Sequence, residues 1–255
     1  MKKNKVIVIG NWKMEPETPV LAKEIISSVS RQSRLLKKVE VVVCPPALYM
    51  GLFKKPANKN FFLGSQDVFW QNEGRFTGQI SPKMMKASGV SYCLVGHSER
   101  RALGETDEIV AKKACAALKE GLRVVICVGE RERDSSGTYF EFLKNQIRES
   151  CKGIQRRHLS SLLIAYEPLW VIGKSWREAM TPDNIRETVI FIRKTLSDMF
   201  DQTVATSVPV IYGGSVEPEN TNVVLRGGEV AGILVGHKSL VIEDFIKILK
   251  SADEI

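Results

Sequence analysis

The chain has 255 residues, 44% of them hydrophobic and 26% charged, which excludes a disordered, collagenous or coiled-coil protein and allows a sizeable core. The net charge of +8 could suit nucleic acid, a membrane surface or an anionic metabolite, yet the basic residues come at most in adjacent pairs mixed with acids. With no aromatic-interleaved basic stripe and no apolar run of bilayer length, neither nucleic acid nor membrane is expected as a partner.

The first residues, Met1 to Lys5, are basic, but the apolar stretch behind them, Val6 to Ile9, is too short for a secretory core. Five cysteines (Cys44, Cys93, Cys115, Cys127 and Cys151) form no C-x-x-C pair and read as reduced thiols of a cytoplasmic protein. The histidines, His97, His158 and His237, lie in no zinc motif, so no metal is expected.

Eight short apolar runs recur along the chain: Val6 to Ile9, Val41 to Val43, Phe61 to Leu63, Cys93 to Val95, Val124 to Val128, Leu162 to Ala165, Val208 to Ile211 and Ile233 to Val235. Several are apolar at every position, which predicts strands buried on both faces, as in a parallel sheet. Helical patterns separate them. Thr106-Asp107-Glu108 opens one that runs to Leu118 and stops at Gly121. Thr181-Pro182-Asp183 supplies a cap, a first-turn proline and an acid ahead of the stripe Ile185, Val189, Ile192 and Leu196. Ile242, Phe245, Ile246 and Leu249 repeat the spacing near the C-terminus.

No linker divides the chain, so residues 1–255 are expected to form one domain. Eight alternating strands and helices match a closed (β/α)8 barrel. The rival is an open doubly wound sheet, but the first strand ends in Gly10-Asn11-Trp12-Lys13, without its usual dinucleotide turn.

In a barrel, chemistry gathers at the C-terminal ends of strands. There stand Asn11 and Lys13 after the first strand, His97 after the fourth and Glu167 after the sixth. An amine, an imidazole and a carboxylate could serve as oxyanion clamp, electrophile and general base. Singly, a strand-end lysine is often just solvated, a lone histidine is often a satisfied polar group, and a glutamate often caps a helix. Three complementary groups at matching ends point to chemistry instead. Tyr212-Gly213-Gly214-Ser215 and Val235-Gly236-His237-Lys238 follow the seventh and eighth strands, where such barrels cradle phosphate. A tight turn would also explain the glycines. Gly173-Lys174-Ser175 is no Walker A tail, because Pro168 stands where that loop needs glycine.

Two connections are long. Pro168 to Met180 predicts a lid, and Gln66 to Ile80, with Phe69, Trp70 and Phe76, predicts a buried loop held against another chain.

These segments resemble triosephosphate isomerases over essentially the whole chain. The likeness rests on Gly10-Asn11-Trp12-Lys13-Met14, Gly74-Arg75-Phe76-Thr77-Gly78, Val95-Gly96-His97-Ser98-Glu99-Arg100-Arg101 and Cys127-Val128-Gly129-Glu130. It extends through Ala165-Tyr166-Glu167-Pro168-Leu169-Trp170, Tyr212-Gly213-Gly214-Ser215-Val216 and Leu234-Val235-Gly236.

The resemblance implies a TIM barrel that interconverts dihydroxyacetone phosphate and D-glyceraldehyde 3-phosphate without metal or organic cofactor. It makes Glu167 the base, His97 a neutral electrophile (this family being itself the usual example of such tuning) and Lys13 the stabiliser of the enediolate. Asn11 would position substrate oxygens, and Glu99 would support Lys13. Backbone amides of Gly173, Ser215, Gly236 and His237 would hold the phosphate. The loop bearing Thr77 would reach into a partner subunit, implying a homodimer.

Three features depart from the family pattern. The lid, Val171 to Met180, is two residues longer with its second hinge rewritten, His237-Lys238 replaces Gly-Ala, and Gln79 replaces glutamate. Two other readings remain open on the residues alone: a barrel acting on another sugar phosphate, and a sugar-phosphate binding protein without turnover.

Overall fold

A computed structural model of the protein describes residues 5–53, 59–134, 136–202 and 207–255; the basic start of the chain, residues 1–4, lies outside them. The eight apolar runs become β1 (Val6–Asn11), β2 (Val39–Cys44), β3 (Phe61–Ser65), β4 (Val90–Val95), β5 (Arg123–Val128), β6 (Leu162–Tyr166), β7 (Val210–Tyr212) and β8 (Gly232–Val235). Each pairs in parallel with the next, and β1 closes on β8 through the register Ile7 with Gly232 and Gly10 with Val235. The barrel expected from the sequence is therefore present, and the open sheet is not.

Both faces of every strand are covered, which explains the absence of polar alternation. Along β1, Ile7 and Ile9 join Val42, Leu94, Val125, Leu163 and Ala165 in one buried cluster that fills the barrel. The intervening Val8, Val41 and Val43 belong to a second cluster, shared with helix residues such as Ile25 and Val29. A strand turns successive side chains to opposite faces, so each strand serves both cores.

The surrounding helices are α1 (Pro19–Ser33), α2 (Pro82–Ala87), α3 (Ser98–Ala102), α4 (Asp107–Lys119), α5 (Thr138–Ser150), α6 (Pro182–Met199), α7 (Thr221–Gly227) and α8 (Ile242–Asp253). Thr106 and Thr181 cap α4 and α6 through their side-chain oxygens, accepting from Ile109 and Asn184 amides. All four stripe residues of α6 are buried. In α8 the inward face runs through Phe245, Ile248, Leu249 and Ala252, while Ile242 and Ile246 sit at its margin. No helix among the described residues is long and apolar enough to cross a membrane.

One expectation needs correction. The seventh strand starts at Val210 rather than Val208, because Pro209 has no N–H to give the ladder and contributes only its carbonyl, to Ile164. The loop from Gln66 to Ile80, expected to be held against another chain, is partly buried within the single chain. Phe69 stacks on Trp70 and Phe76 with ring centroids 4.1 and 4.6 Å away, but residues 71–79 are exposed, Phe76 at 40%.

Cys44, Cys93, Cys127 and Cys151 are buried, and Cys115 is half-buried. Burial raises all five thiols, Cys93 and Cys151 to about 12. A thiol reagent should therefore label only Cys115 in the native chain, faster as pH rises, and all five cysteines after unfolding. Rapid native labelling of a second thiol would contradict this packing.

Candidate active site

The inward phase of β1 runs Ile7, Ile9, Asn11, and that of β6 runs Leu163, Ala165, Glu167. Strand alternation thus delivers a carboxamide and a carboxylate to the barrel axis at its C-terminal mouth, each 4% exposed or less. Lys13, two residues beyond Asn11, adopts φ +54°, a left-handed backbone costing about 1–3 kcal/mol for a non-glycine residue. Local hydrogen bonds hold it there. Its N–H donates to Asn11 Oδ1 at 3.1 Å, and Gln66 Nε2 donates to its carbonyl at 2.8 Å.

His97 lies out of phase with β4, whose inward residues are Tyr92 and Leu94. Gly96 corrects this with φ +70°, and a Cβ there would meet Val110 at 2.9 Å. Both peptide groups of Gly96 are tied down: Glu105 Oε2 accepts its N–H at 3.1 Å and Arg101 Nε donates to its carbonyl at 2.7 Å. His97 then caps α3, its Nδ1 accepting the Glu99 N–H at 3.2 Å.

A backbone amide can only donate, so Nδ1 of His97 is the acceptor and the ring proton sits on Nε2, as in a neutral imidazole. Nε2 faces Glu167 Oε1 at 3.3 Å. The other oxygen of Glu167 accepts the Ser98 N–H at 3.4 Å. Lys13 Nζ pairs with Glu99 Oε1 at 2.6 Å, and Glu99 Oε2, 3.8 Å from His97 Nδ1, is too distant to compete for the ring. The groups singled out in the sequence are therefore neighbours.

Asn11, Lys13, His97 and Glu167 line a hollow of about 270 Å³ that also takes in Gly173, Ser215, Gly236 and His237. Among the described residues the main-chain N–H groups of Gly173 and Ser215 donate to no acceptor. The His237 side chain is 74% exposed, and the residue also lines the hollow. Gly236 lies against the Lys13 stem, so that a Cβ on it would come within 3.7 Å of Lys13 Cε. Oriented amides and a lysine around a cavity of this size can hold a small anion beside a base and a proton donor. No three His, Cys, Asp or Glu side chains among the described residues are grouped as a metal would need.

The family profile described as triosephosphate isomerase matches residues 6–252. The chain belongs to the triosephosphate isomerase family. It is 40% identical to a triosephosphate isomerase of Thermoanaerobacter pseudethanolicus over 246 residues, covering 95% of this chain and 98% of that one. It is 40% identical over 249 residues to that of Caldanaerobacter subterraneus subsp. tengcongensis, with 95% and 98% covered. For Carboxydothermus hydrogenoformans the identity is 38% over 251 residues, with 97% and 99% covered.

Sequence reasoning left one part of this isomerase site unassigned. Glu130, just beyond β5, is 2% exposed, and its Oε1 accepts from Tyr166 Oη at 2.8 Å, Trp170 Nε1 at 3.0 Å and Arg133 Nε at 3.1 Å. Burial and this carboxylate raise the Tyr166 hydroxyl well above its ordinary pKa, so it stays a donor. The cluster brackets Glu167 in sequence and ties its strand to the start of the lid. The signal was the same as for Glu167, an acid just past a strand end.

Glu167 is hemmed in by glycines. Its carbonyl would lie 1.8 Å from a Cβ on Gly129, and its Cγ would lie 2.8 Å from one on Gly213. Gly213→Ala should displace the carboxylate and lower kcat by about 100-fold with the barrel intact by circular dichroism. Unchanged turnover would show that Glu167 position is not set by this contact.

Proposed function

We propose that the family reaction, interconversion of dihydroxyacetone phosphate and D-glyceraldehyde 3-phosphate, runs here through Glu167, His97 and Lys13. The observation that carries the assignment is the buried 3.3 Å contact between Glu167 Oε1 and His97 Nε2, beside a hollow edged by Lys13 and free amides. Glu167 removes a proton from the carbon next to the carbonyl. The Nε2 proton of His97 passes to the carbonyl oxygen as the enediolate forms, and Lys13 Nζ offsets the charge. The neutral Nε2 set by the Glu99 amide suits this electrophilic role. His97 then takes up the hydroxyl proton on the adjacent carbon, while Glu167 returns its own proton to the former carbonyl carbon. All protons are conserved, and no cofactor is consumed.

Substrate must first release Glu167 from the Ser98 N–H and His97 and displace water from the carboxylate, which closure of the lid carrying Ile172 and Gly173 achieves. Asn11 orients the substrate oxygens. Phosphate held on the amides of Gly173, Ser215, Gly236 and His237 lets remote binding energy serve the reacting carbons.

Glu167→Gln should lower kcat by about 10²- to 10⁴-fold in an assay coupled to either triose phosphate, with inorganic phosphate still competing for the site. Wild-type turnover in this variant would remove Glu167 as base. Ligand stabilisation without turnover in the native chain would favour a binding protein.

The chain works as a homodimer in this reading. Thr77 stands on the exposed loop beyond Phe69, and Phe76 and Met14, the latter 94% exposed, offer apolar surface in the isolated subunit. Thr77→Arg should convert the dimer to monomer by light scattering and cost about 100-fold in turnover through the neighbouring Lys13 segment. An active monomer would contradict this. Five unpaired cysteines suit the cytoplasm.

A further inference from the structure

The rewritten lid has a partner outside the reacting groups. Its ends are buried at Val171 and Met180, while Gly173, Lys174, Ser175, Arg177 and Glu178 are exposed. Within it, Trp176 begins a single tight turn and its N–H donates to Glu217 Oε1 at 3.2 Å. Glu217 lies on the loop after β7, and three hydrogen bonds fix that loop around it. Its N–H donates to Asn220 Oδ1 at 2.8 Å, Asn220 Nδ2 donates to the Ser215 carbonyl at 2.9 Å, and Thr221 Oγ1 donates to the Glu217 carbonyl at 2.7 Å. The carboxylate is therefore held ready for the lid amide.

Glu217 also lines the hollow, where a carboxylate would repel a phosphate dianion. Lys238 answers that charge. Its Nζ lies 3.7 Å from Glu217 Oε2 and donates to Asp244 Oδ2 at 2.9 Å, and it lines the same hollow. Asp244 raises the lysine pKa, so its charge is retained. Lys238 and the extended lid are two of the three departures from the family pattern, and Glu217 joins them physically.

We propose that Glu217 and Lys238 form a latch on the lid: Glu217 holds the Trp176 amide, Lys238 offsets its charge, and substrate phosphate releases both. The proposal rests on phosphate occupying the glycine cradle. A dianion there draws Lys238 Nζ toward itself and leaves Glu217 uncompensated beside like charge. The carboxylate then gives up the Trp176 N–H, and the lid can bring Gly173 to the phosphate. Linkage makes the effect reciprocal: what phosphate does to the latch, loss of the latch does to phosphate affinity. Glu217 and Lys238 are thus positioning residues acting on phosphate affinity and lid opening.

The test is steady-state kinetics of the full chain, with KM, kcat and the competitive inhibition constant of inorganic phosphate read separately. Trp176→Pro removes only the latch donor beyond what Trp176→Ala removes. Proline is tolerated at the first position of a turn, and Ser175 already has the extended backbone it requires. Relative to Trp176→Ala, the proline variant should tighten phosphate about 5-fold. Glu217→Gln should also tighten it, and Lys238→Met should weaken it about 5- to 10-fold, mostly in KM. The double variant should return to within about 2-fold of wild type, as charge compensation demands. Phosphate competing equally in all variants would overturn the latch while leaving the cradle in place. Phosphate failing to compete in the wild type would remove the cradle and the latch together.

Discussion

Closure of β8 onto β1 is the constraint on which the site depends. Were the same strand order left unclosed, these strands would lie at opposite edges, and the lysine after β1 could not meet the glycine loop after β8. Closed, they place Gly236 against the Lys13 stem. Glycine makes the seam possible, since a Cβ on Gly232 would stand 2.0 Å from the Ile7 carbonyl oxygen, far inside van der Waals contact. Closure also sets the direction of every inward side chain, so that the phase filling the core with Ile9 and Ala165 ends in Asn11 and Glu167. The site is the last layer of the core, carried out in polar residues.

His97 shows how a polar group is placed where that phase does not deliver it. The left-handed turn at Gly96 breaks the alternation, and two charged side chains pin the turn from outside the mouth. Arg101 reaches Gly96, Cys127 and Ser150 and pairs with Asp107, while Glu105 holds the Gly96 amide and pairs with the 3%-exposed Lys113. A buried charge of this kind is costly unless every partner is present. The arrangement fixes one orientation of the imidazole, and the Glu99 amide fixes its tautomer.

Much of this was legible in the sequence. Strands buried on both faces leave apolar runs that need no structure to be seen, and the strand-end motifs picked out groups that the barrel brings together at its mouth. What could not be read were contacts between loops. The boundary at Pro209 required knowing which peptide groups the ladder uses. Glu130 looks like any strand-end acid until Tyr166, Trp170 and Arg133 are seen around it. Glu217, Trp176 and Lys238 are separated by 41 and 21 positions in the chain and share no periodic pattern; only the closed rim brings them together.

The lid differs from the rest of the rim in how it is held. Strand-end residues inherit their positions from ladder hydrogen bonds and a filled core, so moving them would disrupt many contacts at once. The lid is anchored by apolar ends and a few polar contacts: Trp170 on Glu130, Ser215 Oγ 2.7 Å from the Val171 and Lys174 carbonyls, and Trp176 on Glu217. The serine has one proton for two carbonyls, so it can satisfy only one of them fully at a time. Each such bond contributes about 0.5–3 kcal/mol, within reach of a single bound dianion. A segment held this way can change length and composition while Glu167 and His97 stay where the barrel puts them.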